Sequence, residues 1–438
     1  MQISISWLRR LLVAFSVSFS LITTNLAHAT DTYDGLYLTI PQVAVGSTTY
    51  TNVIITVGTV VGVAGGAPTA NFDTYDSATG LLTIPSVQAY GSTYTNVTIT
   101  VGSVISVGGS ISARSYPVVD THAHIDPLAT TSLAAGVTIA LEIMQQNGIT
   151  HTILMPPPAA AVGPGATGRD AQGLVASING HQDKLFASVG GVTLNGIIQT
   201  TRAPSVTASD QQAFLAQANN LAEMQVVGFG EIALRHLSLV KMGPSHPYED
   251  TSGDHPLLFA LADLAAQKGL PLDIHCDVAP QDMGLPTSPV PLFNPATPSY
   301  LTENLAALER LLAHNQSAKI VWAHAGSDPL DTRDPTLERT LLSRYPNLYM
   351  SLRPAQGNSR PTSILDPQSS IKPEWLALLQ EFPDRFVLGS DYQYSPTNIR
   401  GQTEQDLQLL GQFLDQLPID LAKKIAYQNA ALLFRLNL

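Results

Sequence analysis

Two histidines one residue apart end a short apolar run, Val118-Val119-Asp120-Thr121-His122-Ala123-His124. Side chains alternate across a β-strand, so His122 and His124 project to one face and can chelate a single divalent cation. Later apolar runs carry groups of the same kind at their ends. Glu231 follows Val227-Gly228-Phe229-Gly230, His275 follows Leu272-Asp273-Ile274, His324 follows Val321-Trp322-Ala323, and Asp391 follows Leu388-Gly389-Ser390. An ion held by imidazoles and carboxylates, with open positions left on it, lowers the pKa of a bound water from about 15.7 toward 7. That is chemistry for attack on a carbonyl-type carbon. Asp391 is the expected proton acceptor. His324 either ligates a second ion or polarises the substrate. Glu231 bridges two ions, orients a ligand from behind, or simply pairs with Arg235.

Other groups are candidates for substrate contact. Arg353 follows Met350-Ser351-Leu352 and could hold a substrate carboxylate, or form a loop salt bridge with Asp366. Tyr392 and Tyr394 could add an aromatic wall. His236, His246 and His255 fall in or beside the loop after the fourth strand and could line a pocket. His151, His181 and His314 read as surface residues.

Positioning these groups requires a scaffold, and its pattern is legible from residue 117 onward. Candidate strands at 118–121, 150–155, 185–189, 226–232, 270–275, 319–323, 348–352 and 386–390 alternate with helical patterns at 132–146, 211–224, 256–268, 300–314, 335–345, 372–381 and 402–416. Eight strands with intervening helices predict an α/β fold, a (β/α)8 TIM barrel, whose active face lies at the C-terminal strand ends. A doubly wound sheet is the alternative, but it expects a glycine-rich turn after the first strand, where this chain has His-Ala-His. Residues 418–438 read as a closing helix packed outside the barrel. Long Pro- and Gly-rich stretches at 241–254, 277–298 and 354–370 are the expected substrate loops.

Ahead of the barrel lies an internal repeat. Leu38-Thr39-Ile40-Pro41 and Tyr50-Thr51-Asn52-Val53 return as Leu82-Thr83-Ile84-Pro85 and Tyr94-Thr95-Asn96-Val97, a period of 44 residues. Thr, Val, Ile and Tyr broken by Gly and Pro predict short antiparallel strands, and two copies together form one small all-β unit. A spacer or a docking module are its alternative uses. Residues 108–112 read as a linker. The expected division is a signal peptide at 1–29, the β-rich repeat region at 30–112 and the barrel at 113–438.

The leader carries Arg9 and Arg10 before an apolar run, then Ala27-His28-Ala29 as a small-residue cleavage site, which predicts periplasmic or secreted localisation and no membrane attachment after cleavage. Cleavage leaves 20 basic against 34 acidic residues, a net charge of −14. That balance argues against nucleic-acid partners. One cysteine, Cys276, excludes an intramolecular disulfide. The partner expected is a small molecule; a homo-oligomer stays open.

The ordered set of His-x-His, Glu, His, His and Asp resembles the amidohydrolase superfamily, in its amidohydrolase-related (type 2) group, over residues 117–436. The resemblance implies His122, His124, His275, His324 and Asp391 as metal ligands. Many members carry a carboxylated lysine on the fourth strand. Glu231 stands there instead, within a Gly-Glu-Ile motif similar to the TatD-type branch, so one ion or two remain open. The implied cofactor is a divalent metal, zinc ahead of manganese or iron. The implied activity is an exported metal-dependent hydrolase cleaving an ester, lactone or amide bond. A metal-dependent nonoxidative decarboxylase is the alternative, and a noncatalytic scaffold with an adhesive repeat unit is a third.

Overall fold

The computed structural model describes residues 31–46, 48–69, 73–106, 109–112, 114–125, 132–158, 171–243, 246–287, 292–395 and 404–438. The expected leader lies outside them. The chain divides into two compact units that part after Arg114.

The first unit holds β1 (Asp31–Tyr33), β2 (Tyr37–Val45), β3 (Thr48–Val63), β4 (Asp73–Asp76), β5 (Leu81–Ala89), β6 (Ser92–Ser106) and β7 (Gly109–Ser112). Hairpins β2–β3 and β5–β6 pair in matching register, Ile40 with Val53 and Ile84 with Val97. They join through β3 and β6, and β1 and β4 fill the opposite seam. There β1 is antiparallel to β2 and parallel to β5, while β4 is antiparallel to β5 and parallel to β2. Leu38, Ile40, Val53, Ile55, Leu82, Ile84, Val97 and Ile99 form the core this closure buries. Residues 109–112, expected as a linker, instead pair with the start of β3. The backbone edge of β3 gives them a ladder.

In the second unit, β8 (Val119–Ile125), β9 (His151–Leu154), β10 (Leu185–Gly190), β11 (Gly228–His236), β13 (Leu272–Cys276), β16 (Ile320–Ala325), β17 (Leu348–Leu352) and β18 (Phe386–Leu388) run parallel in a ring. Leu388 pairs with Asp120 and closes it, as the sequence pattern predicts for a (β/α)8 barrel. Short strands decorate the rim: β12 (Glu249–Asp250) against β11, the pair β14 (Met283–Gly284) and β15 (Tyr300–Leu301), and β19 (Tyr392–Tyr394) against β8. All seven expected helices are present among the described residues, with Ala171–Ser177 and Thr193–Thr200 in addition.

Alternation within each strand sorts the core. Leu272, Ile274, Ile320, Trp322 and Leu348 belong to the large apolar cluster built with the surrounding helices. Val119, Ile153, Val321 and Val387 form a separate cluster with Ala430, Leu433 and Phe434 of the last helix, Asn429–Phe434. The closing segment thus divides: Leu421, Ala422, Ile425 and Ala426 join the outer cluster, as expected, and Ala430, Leu433 and Phe434 cover the inward-facing valines at the N-terminal end. That end is lined by apolar side chains, and the candidate ligands are left to the other end.

Candidate active site

At the C-terminal ends of the strands the six candidate ligands come together, with Glu231 at their centre. Its Oε2 lies 3.5 Å from His122 Nε2 and 3.6 Å from His124 Nε2. Its Oε1 lies 2.8 Å from His275 Nδ1 and 3.2 Å from His324 Nε2. Asp391 Oδ1 stands 3.3 Å from His124 Nε2. The alternative partner for Glu231 is otherwise engaged: Arg235 pairs with Asp250 at 3.1 Å.

Local backbone explains how each group arrives. β8 runs on through His122 and His124, and a register shift against β9 between Asp120 and Ala123 accommodates both rings at the cluster. Gly230 lets β11 approach β13: a Cβ there would lie 2.7 Å from that of Asp273. Gly389 gives His122 its room, since a Cβ would lie 2.9 Å from that of His122. His324 and Asp391 both hold left-handed backbone, with φ of 67° and 54°. Such a conformation costs a non-glycine residue about 1–3 kcal/mol and persists where surrounding structure imposes it. In both cases it turns a side chain off the strand alternation and into the cluster.

Sequence reasoning missed Asp273. It is fully buried, and its Oδ1 lies 3.2 Å from His122 Nδ1. Its signal was an acid two residues before His275 in an otherwise apolar strand, hence on the same face as that ligand. His124 is fixed similarly, with Nδ1 donating to Met155 O at 2.9 Å. A carbonyl or carboxylate on one imidazole nitrogen aims the other at a metal. Asp277 plays this part beside His275, at 3.2 Å from Nε2.

The remaining predicted groups divide. Arg353 Nη1 lies 2.6 Å from Asp391 Oδ2, not against Asp366. Tyr392 is largely buried, its ring 5.2 Å from that of Tyr394. His236 extends the cluster: the rings of His246, His236, His275, His324, His122 and His124 follow one another at 4.6–5.0 Å between centroids. His255 does not join them; it caps the helix Pro256–Lys268 and bonds Thr201 O. His314 stacks on Phe259 and pairs with Asp263 at the surface.

Electrostatics follow from burial and crowding. Burial alone would raise the Glu231 carboxyl, but His122 and the hydrogen bonds of His275 and His324 outweigh it and hold it well below the usual range. Burial would likewise lower His122, yet Asp273 and Glu231 hold it well above its ordinary value. Asp277 and Glu231 overcome burial at His275 and lift it to about 10. His324 is the exception: burial dominates and drives it to about 3. Asp391 is held well below the carboxylate range, with Arg353 and His324 overriding burial. The carboxylates therefore demand positive charge, which protons on His122 and His275 supply and a dication would replace.

The donor set fits a divalent metal. His122 Nε2 and His324 Nδ1 are buried without a hydrogen-bond partner, an expensive state for a polar atom unless another ligand completes it. His122, Glu231 and His324 form one group whose ligand atoms lie within 4.8 Å of one another, and His122, His124 and Asp391 form a second. Two ligands about 2.1 Å from a tetrahedral ion sit about 3.4 Å apart, close to the separations around Glu231.

The amidohydrolase family model matches residues 119–436. No curated protein matches the chain. Among solved structures, a probable 2-pyrone-4,6-dicarboxylic acid hydrolase from Acinetobacter baumannii is 14% identical, covering 73% of this chain and 99% of its own, with a TM-score of 0.38. A 5-carboxyvanillate decarboxylase from Novosphingobium aromaticivorans, complexed with manganese, is 13% identical over 74% and 97%, with a TM-score of 0.42. A phosphotriesterase homology protein from Escherichia coli is 14% identical over 73% and 99%, with a TM-score of 0.37. With the family model matched over most of its length, the chain belongs to the amidohydrolase family of metal-dependent enzymes.

Proposed function

We propose that the protein is an exported hydrolase that uses a metal-activated water to cleave an ester, lactone or amide bond of a small molecule. The observation carrying this reading is the position of Glu231, one oxygen toward His122 and His124 and the other toward His275 and His324. His122, His124 and Asp391 would hold one divalent ion, and His275 and His324 a second, with Glu231 between them. Zinc suits this imidazole and carboxylate set. When bound, the metal supplies a Lewis acid that acidifies water and polarises the scissile carbonyl. Asp391 takes the proton of the attacking water, and its contact with Arg353 fixes which oxygen faces the centre. Arg353, in contact with Asp391, is the group offered to a substrate carboxylate, whereas Tyr392 is packed into the large apolar cluster. The basic-then-apolar leader supports export.

A nonoxidative decarboxylase is the second reading. Arg353 on the active rim and a carboxylate in place of a bridging lysine favour it. Metal content per chain, followed by a screen of lactones, esters, amides and aromatic acids in 18O-labelled water, tests both. Label in the product supports hydrolysis. Carbon dioxide release with no label in the organic product transfers the assignment to the lyase. A protein that binds no divalent metal would sink both readings.

A further inference from the structure

Arg333 is buried in the loop after β16, with 4% of its surface exposed. Its guanidinium carbon sits 3.7 Å from the centre of the Trp322 ring. Nη1 donates to Ala323 O, and Nε lies 3.4 Å from Glu338 Oε1 in the first turn of helix Pro335–Arg344. The loop itself is folded around Asp328, which accepts the backbone N–H groups of Leu330, Thr332 and Arg333. Trp322 in turn donates its indole N–H to Cys276 O at 3.0 Å.

Those two carbonyls belong to the residues beside His324 and His275. The β13–β16 ladder ends at Ile274 with Trp322, and the β16–β17 ladder breaks between Trp322 and Ala325. On the seam between β13 and β16 side chains take over beyond these points, while β13 stays paired with β11 through Cys276 and β16 regains β17 at Ala325. A buried guanidinium–carboxylate pair is a poor route to stability, because desolvation costs each ion several kcal/mol and apolar groups of equal volume often do as well. Its five donors in a rigid fork are suited to fixing a geometry.

We propose that Arg333, through Trp322 and Ala323, is a positioning residue for the metal centre. It fixes the ends of β13 and β16, and so the separation and aim of the His275 and His324 rings. This inference rests on the metal-centre reading of the site.

The experiment is zinc binding to metal-stripped protein by chelator competition, well below the unfolding temperature. It is paired with the visible spectrum of the cobalt-loaded protein and a thermal melt, on wild type, R333M, R333K and W322F. Removal of partners that orient metal ligands costs about 10–100-fold in affinity. R333M is expected to weaken zinc binding at least about tenfold and to alter the cobalt spectrum. R333K should not restore either, since one ammonium cannot both cover the indole and bond Ala323 O. W322F keeps a ring under the guanidinium and loses only the bond to Cys276 O. It should weaken binding less than R333M but measurably, and it decides the matter if R333M does not fold. Variants that melt earlier yet bind zinc and cobalt as wild type does would overturn the proposal and leave the proposed function standing. A wild type that binds neither metal would remove both.

Discussion

His122 turns its Nδ1 onto Asp273, 3.2 Å away, and so presents Nε2 to Glu231. In the proposed centre the two ring nitrogens would have separate tasks, one anchoring and one ligating. D273A should leave His122 in place but free to rotate, weakening zinc binding about 10–100-fold. D273N retains an oxygen acceptor and should recover part of that loss. Chelator competition measures both, and equal affinity in wild type and D273A would show that His122 is held by packing alone.

Glu231 faces two imidazole pairs with two different oxygens, so its removal should cost metal stoichiometry as well as affinity. E231A is expected to retain at most one ion per chain, where the proposed centre would give wild type two. Turnover should fall by at least about a hundredfold, on the scale of losing a transition-state electrostatic interaction. Elemental analysis after gel filtration gives the count. Two ions in E231A would remove the bridging role.

The convergence of the six candidate residues was legible in sequence because each ends an apolar run, and strand ends of a parallel barrel converge on one rim. What holds the ligands was less visible. Asp273 reads as a polar interruption in a strand until its distance to His122 is known. Arg353 offered two partners by sequence, and Asp391, the one it takes, was not among them. Left-handed backbone at His324 and Asp391 leaves only a weak trace in residue type, since His and Asp enter that region more often than most residues but far less often than glycine. The place of the last helix, Asn429–Phe434, at the barrel floor was hidden for another reason. Its apolar residues fit a helix packed outside or beneath equally well, and only the inward-facing Val119, Ile153, Val321 and Val387 decide.

The Arg353–Asp391 contact predicts a kinetic pattern. If Arg353 served only to bind a substrate carboxylate, R353M would raise KM for anionic substrates and leave a neutral ester untouched. Because it also fixes Asp391, R353M should lower kcat on a neutral ester by about tenfold, in the range found for outer partners of a metal site. Steady-state rates on a neutral and an anionic ester separate these. A kcat preserved on the neutral ester would confine Arg353 to substrate binding.

The repeat unit carries its own pH dependence. Asp31 and Asp73 open β1 and β4, pair opposite Val87 and Val43, and are buried together with one oxygen of each unpartnered. Burial raises both, Asp31 to about 7 and Asp73 to about 10, and the hydrogen bond between them requires a proton on one. In the unfolded chain both titrate near about 3.9. Between about pH 4 and 10 the folded unit thus binds more protons than the unfolded one, with the larger excess below about 7. The stability these groups contribute is complete below about pH 4 and is lost as pH rises through about 7, with a second decrement toward 10. Amide exchange of residues 73–76 and 81–89 in the whole protein, corrected for its intrinsic pH dependence, should therefore show protection falling from pH 5 to 9. The D31N/D73N double variant, neutral throughout, should show a flat profile. Protection that rises with pH in wild type, or an unchanged slope in the variant, would place the titrating groups elsewhere.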